Sequence, residues 1–499
     1  MSKHHFLAFD LGAESGRAVL GTLKDKRISI RELHRFPNVP LTIFGRLHWN
    51  VYALFEEIKK GLNMGSSQFA PDLESVAVDT WGVDFGLLAG DGTILGLPFA
   101  YRDLRNVRAM KKFLEKFPKE KIYEITGIQF LPFNSLFQLQ ALAIENPDLL
   151  AAAADLLFMP DLFTYLLSGK KTTEATIAST SQLIDPRRQK WSAELLEALG
   201  ISKKIMPKLQ RPGTVIGNLL PSIADETGLK EIPVVATASH DTASAIAAVP
   251  ALEKNWAYIS SGTWSLMGIE TAGPLISLET RRLNFTNEGG MDGRIRFLKN
   301  ITGLWLIQQC RKKWSADRPL SYEEMRAMVT SAPAFKTFID PDAPDFLNPP
   351  DMPEAIRSFC RRTGQAVPQT PAEIVRCAIE SLALKYRAVL DELRQVSPLP
   401  IERIHIIGGG SQHVALCQFT ADATMLPVIT GPVEATAIGN IMGQALALGH
   451  VGSLSEIRSI VAESTELKTY EPQDAAAWEA AYERFQEILH LGKKKRRTT

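Results

Sequence analysis

His240-Asp241-Thr242 places a carboxylate able to accept a proton between two side chains able to orient a substrate. Three other segments offer what a phosphate chain needs: Asp10-Leu11-Gly12-Ala13-Glu14-Ser15-Gly16-Arg17, Ser260-Ser261-Gly262-Thr263 and Gly408-Gly409-Gly410-Ser411. Glycine-rich turns let backbone amides approach phosphate oxygens, and the hydroxyls of Ser15, Ser261 and Thr263 add directed donors. Arg17 adds a planar fork suited to phosphate. Asp10, ending an apolar run, is placed to hold Mg²⁺ through water, because Mg²⁺ takes few carboxylates and keeps its own waters. Phosphoryl transfer asks a protein for positioning, charge neutralisation, a metal and a proton acceptor. Asp241, ionised at neutral pH at its reference pKa, is the candidate acceptor, with His240 and Thr242 beside it.

Each feature alone also has a structural reading. A strand-Asp-Gly turn can be only a turn, and Ser239-His240-Asp241 can cap a helix. Trp81 can be core, and the glycines at 408–410 can be a tight helix entry. Their joint occurrence favours chemistry.

The elements that must position these groups are legible in outline. Residues 5–10 and 17–23 predict two strands joined by the glycine-hydroxyl turn, with Gly12 and Gly16 freeing the backbone. Residues 28–36 predict a third strand, and Asn50 caps an amphipathic helix to about Met64. Ser75 to Asp79 reads as a buried strand leading into Thr80-Trp81-Gly82-Val83-Asp84, and functional groups often sit where such strands end. Helical patterns dominate from about 105 to 200, with caps expected at Asn134, Asp161 and Ser192, and Leu149 to Met159 reads as core helix. Residues 233–238 predict a strand before His240. Ala257-Tyr258-Ile259-Ser260 and Trp264-Ser265-Leu266-Met267 flank a Ser-Gly-Thr turn as strands flank the first loop, which suggests a duplicated architecture. Arg403 to Ile407 reads as a strand, and Ser411 to Met425 as the helix after the glycine loop. The domain boundary is expected near residues 244–256, dividing the chain into 1–245 and 246–499.

Composition narrows the partners. At 499 residues the chain is too long for one core, and two large domains are expected. Lysine plus arginine (56) nearly balances aspartate plus glutamate (55), which leaves no global field to recruit nucleic acid or anionic membrane. No apolar run reaches bilayer length, and no secretory leader precedes the first strand, so a cytoplasmic protein with small-molecule partners is expected. Cys310, Cys360, Cys377 and Cys417 form neither a metal-ligand spacing nor a disulfide framework. The run Lys493-Lys494-Lys495-Arg496-Arg497 reads as a solvated tail. Oligomeric state is not legible.

The segments FDLGAESGR, DTWGVDFGLL, SHDTASAI, YISSGTWSLMG, LKNITGLWLIQQ, HIIGGGSQ and GPVEATAIGN, in that order over residues 5 to 450, resemble the FGGY carbohydrate kinases. The resemblance implies an α/β fold of two ribonuclease-H-like (actin-like ATPase) domains, with ATP and sugar meeting in an interdomain cleft. It implies transfer of the ATP γ-phosphoryl group, with Mg²⁺, to a ketose, and the wording of DTWGVDF and GPVEATAIGN favours O1 of L-rhamnulose. Carried over by position, Ala13, Glu14, Ser15, Gly16 and Arg17 would be the first phosphate loop, with Thr263, Gln308 and Gly409 completing the ATP site. Gly82, His240, Asp241, Thr242 and Asn300 would hold the sugar, Trp81 and Asp84 would stand near it, and Asp241 would be the base. Glu14 departs from the pattern, standing where the family usually has a small hydroxyl residue. Repulsion from the phosphates would then require its carboxylate to face outward or toward Mg²⁺.

Other readings stay open. L-fuculose, L-ribulose or D-xylulose could replace L-rhamnulose, since a hydroxyl or methyl contact shifts preference by only ~1–3 kcal/mol. A sugar or nucleotide sensor on the same scaffold would not need Asp241 together with Arg17 and Asp10. A chaperone-type ATPase or filament protein would need an extension, and only two helices are expected after residue 450.

Overall fold

The computed structural model describes residues 3–69, 72–315 and 319–491, with 492–495 described only as helix. The basic run Lys493–Arg497 lies outside the fully described residues. The chain divides into two compact units. One comprises Met1–Leu252, Glu270–Phe297 and Ala435–Thr465; the other comprises Glu253–Ile269, Leu298–Glu434 and Glu466–Thr499.

The first unit is built on a six-stranded sheet, ordered Thr214–Asn218, Pro233–Ala236, Leu73–Thr80, Lys3–Leu11, Ser15–Lys24, Arg27–Pro37. Lys3–Leu11 runs antiparallel to Ser15–Lys24 and parallel to Leu73–Thr80. Phe6, Leu7, Ala8, Phe9 and Leu11 are all fully buried, as a strand covered on both faces requires. Helix Val51–Phe69 covers the sheet with an apolar stripe of Val51, Leu54, Ile58 and Leu62, and Asn50 Oδ1 accepts from Ala53 N at its start. Helix Ala435–Ala447 also packs in this unit: Gln444 Nε2 donates to Leu7 O, and Ser75 Oγ donates to Gln444 Oε1.

The second unit repeats the plan. Trp256–Ser261 pairs antiparallel with Trp264–Thr271 and parallel with Arg403–Ile407; Val428–Thr430 follows in parallel, then Lys468–Tyr470 antiparallel. An antiparallel hairpin, two parallel neighbours and an antiparallel edge occur in both units, so the duplication is one of topology. Helix Pro371–Val396 supplies much of this unit's core through Ile374, Ala378, Leu382, Tyr386 and Leu390.

Local expectations differ from the structure at four places. Leu149 to Met159 is not one helix: a short helix ends at Ala151, and Asp155–Phe158 is a strand paired with Phe85–Leu88. A short, fully buried apolar run carries no periodicity to separate the two states. Asn134 precedes helix Ser135–Glu145, yet its amide donates to Gln129 O and Gln182 Oε1 instead of capping. Asp161 lies inside helix Met159–Ser168, its Oδ1 accepting from Glu174 N. The segment after Gly408 is a 3₁₀ turn, Gly409–Gln412, followed by helix Val414–Thr424. Ser192 does cap its helix, accepting from Leu195 N. All four cysteines are buried and unbridged, and among the described residues no helix is long and apolar enough to cross a membrane.

Candidate active site

Strand register in the first unit sets three charged side chains in a row. Asp10 is the partner of Asp79 on the neighbouring parallel strand and of Arg17 on the neighbouring antiparallel one. Register partners point to the same face of a sheet with strands about 4.8 Å apart, so two carboxylates and a guanidinium stand side by side. Arg17 directs Nε (3.0 Å) and an Nη (2.7 Å) at Asp10 Oδ2. Asp79 has no exposed surface and takes a 2.6 Å hydrogen bond from Asn440 Nδ2, while its Oδ1 is buried with no partner. Burial, then the charge of Asp10, holds the Asp79 carboxyl well above the usual carboxylate range.

The turn between the first two strands closes with Gly12 N donating to Ser15 O. Neither Gly12 nor Gly16 has a positive φ. Gly16 is required for room instead, since a Cβ there would overlap the Phe36 ring. Glu14 is exposed at the tip, and its carbonyl accepts from Asn38 N.

Asp241 is the first residue of helix Asp241–Ala247, just after strand Pro233–Ala236. Its Oδ1 accepts from the amide and hydroxyl of Thr242. Burial, then the Asp10 charge, pushes its carboxyl up to about 7, while 28% of its side chain stays open to solvent. It is thus both reachable and poised near neutrality, as a general base should be. His240 Nδ1 lies 2.9 Å from Arg296 Nη2, and His240 Nε2 lies 3.4 Å from Asp241 Oδ1. Burial, then Arg296, holds the imidazole well below its usual range, so the ring is neutral. With Arg296 donating to Nδ1, the proton belongs on Nε2, facing Asp241.

Other groups fix this segment. Glu174 accepts from Ser239 N, Thr176 N and Ile177 N, and Thr176 Oγ1 accepts from His240 N. Thr80 N donates to Ser239 O, which ties the end of the Asp79 strand to the same turn. Gly82 lies where a Cβ would press on Thr180 and His240 Nε2. The next residue, Val83, has φ +69°, an outlier for a β-branched residue, held by Thr180 Oγ1 on its N–H and Ser135 Oγ on its carbonyl. Asp84 has no exposed surface and accepts from Trp49 Nε1, Trp81 Nε1, Tyr101 N and Gln138 Nε2. Burial raises it to about 6. Trp81 is 5% exposed and packs against Trp49. These two buried residues therefore brace the strained turn.

The second unit gathers the remaining positions. Gly262 N donates to Trp264 O, and the carbonyls of Gly262 and Thr263 accept from Leu304 N, Gly303 N and Trp305 N, so the Ser-Gly-Thr turn is seated on the entry of helix Trp305–Trp314. Gly408 has φ +79°, and a Cβ there would stand 3.0 Å from Ser261 O; Gly409 is exposed with open space around its Cβ position. Gln308, on the same helix, has a buried Oε1 with no partner. Asn300 also belongs to this unit, on strand Ile295–Thr302.

Sequence reasoning named Asp241, His240, Asp10 and Arg17 but missed Asp79, Arg296, Glu174 and Asn440. Asp79 carried a signal, because LAFDL and VAVDT repeat one pattern of apolar strand ending in aspartate. Arg296, 56 residues from His240, carried none.

A duplicated ribonuclease-H-like sheet, with clustered carboxylates at the ends of parallel strands and glycine turns in both halves, defines a phosphotransferase of the actin-like ATPase class. The chain belongs to the FGGY family of carbohydrate kinases: that family's N-terminal domain matches residues 5–247, and its C-terminal domain matches residues 257–448. It is 49% identical over 487 residues to the rhamnulokinase of Bacteroides thetaiotaomicron, covering 98% of this chain and 100% of that one. It is 42% identical over 492 residues to the rhamnulokinase of Pectobacterium atrosepticum, covering 98% and 97%. In fold it is similar to the ligand-bound xylulose kinase of Lactobacillus acidophilus (TM-score 0.80, 17% identity, 98% of each chain). The ADP-bound glycerol kinase of Plasmodium falciparum is also similar (TM-score 0.78, 13% identity, 99% of this chain and 98% of that one).

Proposed function

We propose that this carbohydrate kinase transfers the γ-phosphoryl group of ATP to O1 of L-rhamnulose, giving L-rhamnulose 1-phosphate and ADP. The substrate rests on full-length similarity to rhamnulokinases at up to 49% identity. The chemistry rests on one observation: Asp241 is an accessible carboxylate at a helix start, raised to about 7 by burial and by Asp10.

Asp241 accepts the proton of the sugar hydroxyl as its oxygen bonds to the γ-phosphorus and the bond to the β,γ-bridging oxygen breaks. Neutral His240, with its proton on Nε2, donates toward the sugar or Asp241, and Gly82 and Thr242 shape the same pocket. Asn300 contributes a further sugar contact. Ala13 to Arg17 take phosphate contacts, and Thr263, Gln308 and Gly409 take nucleotide contacts; the open space at Gly409 and the unpartnered Gln308 Oε1 support the latter role.

The carboxylates fit Mg²⁺. Asp79 keeps a buried, unpartnered oxygen beside Asp10, an arrangement of like charge that a divalent cation relieves. Asp10, with Asp79 next to it, would hold the ion through water, and the bound ion would neutralise phosphate charge. The absence of a membrane-spanning helix among the described residues accords with a cytoplasmic enzyme.

The decisive experiment is ADP release with Mg-ATP against L-rhamnulose, L-fuculose, L-ribulose, D-xylulose, D-ribulose and glycerol, with Asp241→Asn as the blank. Preference for L-rhamnulose, lost by at least ~100-fold in the variant, is expected. A higher kcat/KM for another ketose would reassign the substrate, and undiminished turnover in Asp241→Asn would remove Asp241 as the base.

A further inference from the structure

A second cluster of ligand-type side chains lies at the opposite end of the first unit's central strands. His4 is near the start of the strand that carries Asp10 near its end, and Glu74 is near the start of the strand that carries Asp79. Six residue steps of strand separate His4 from Asp10, on the order of 20 Å. His450 follows helix Ala435–Ala447, the helix whose Asn440 holds Asp79. His4 Nδ1 is 2.6 Å from Glu74 Oε1, and His450 Nε2 is 2.6 Å from Glu74 Oε2. The two imidazole centroids are 3.8 Å apart, and one ligand atom from each of the three residues lies within 4.8 Å of the others. All three side chains are partly buried, at 21%, 30% and 22% exposure. His4 and His450 also line an open cavity of about 330 Å³, with Asp25, Lys26 and Glu456 on its wall.

We propose that His4, Glu74 and His450 form a binding site for a divalent transition-metal ion of the zinc type, with water from the adjoining cavity completing a four-coordinate shell. Two imidazoles and one carboxylate are a zinc donor set, and with both imidazoles lining an open cavity, three protein ligands leave a position for water. Hard cations such as Mg²⁺ prefer all-oxygen shells, so this site and the catalytic carboxylates select different ions. The ligands come from two strand starts and a helix end, brought together only in the folded unit. Metal binding there therefore stabilises the fold without entering the phosphoryl-transfer step.

The test uses the full-length protein without a polyhistidine tag, freed of metal by a chelator and held in excess Mg²⁺. Zn²⁺ is titrated in competition with a chromophoric chelator, and Co²⁺ is added separately as a spectroscopic probe. The expected result is one Zn²⁺ per chain, a raised thermal midpoint and the visible absorption of four-coordinate Co²⁺. His4→Gln and His450→Gln should each weaken Zn²⁺ binding at least ~100-fold, beyond the effect of losing a ligand's hydrogen-bond partner, with kinase turnover kept. No Zn²⁺ uptake, or uptake unchanged in both variants, overturns the proposal; the second result would place the ion on cysteines or catalytic carboxylates. Should a variant fail to fold, the wild-type Co²⁺ spectrum decides, and octahedral absorption alone overturns the site.

Discussion

Asn440 Nδ2 stands 2.6 Å from Asp79 Oδ2, joining residues 361 positions apart in a pair that is wholly buried. Gln444, one turn further along the same helix, donates to Asn440 Oδ1 and so fixes which way that amide points. This relay holds an aspartate whose other oxygen has no partner, beside Asp10.

Asn440→Ala should cost about 1–3 kcal/mol, because it leaves both oxygens of a buried carboxyl unsatisfied. The urea midpoint of the variant measures this. An unchanged midpoint would show that Asp79 finds another donor.

The pH profile of kcat/KM should rise through about pH 7 and then level, since Asp241 must be deprotonated to accept a proton and its folded-state carboxyl is raised to about 7. The positive charge of Arg296 lowers that value, so Arg296→Met should move the acid limb to higher pH. A fall in rate with an unmoved limb would give Arg296 a purely structural role.

The same shift has a stability consequence. A carboxyl at about 7 when folded, against 3.8 unfolded, binds its proton more tightly in the native state. The stability it contributes is complete below the unfolded value and is lost as pH rises toward and through about 7. Asp241→Asn cannot ionise, so its stability relative to wild type should increase between about pH 4 and pH 8. Parallel curves from chemical denaturation would refute the raised carboxyl.

Gly439→Ala should cost turnover by about 100-fold even if the protein folds, because the added methyl would overlap the Ser244 carbonyl in the helix that begins at Asp241. Displacing that helix moves the base. Wild-type kcat in a folded variant would mean that helix Ala435–Ala447 yields instead.

Gly408→Ala should raise KM for ATP while leaving KM for the sugar near its wild-type value. The position has φ +79° and little room beside Ser261 O, so the turn presenting Gly409 must distort. Initial rates with each substrate varied in turn separate the two constants.

Most of the hairpins and glycine turns were legible because turn chemistry, strand alternation and caps act over a few residues. Asn440 lay inside the motif GPVEATAIGN with no visible task, since its partner is a strand 361 positions away. Trp81 and Asp84 were placed near the sugar by proximity in sequence; the fold adds that both are buried beside the strained Val83 turn.

The sequence by itself determined the local chemistry: the His240-Asp241-Thr242 triple, the phosphate-type turns and a chain long enough for two α/β units. Only the tertiary structure decided the row Asp79, Asp10, Arg17, the neutral state of His240 beside Arg296, and the return of residues 270–297 and 435–465 to the first unit. Strand register and burial set these features. Both arise from pairings across tens to hundreds of residues that no local pattern records.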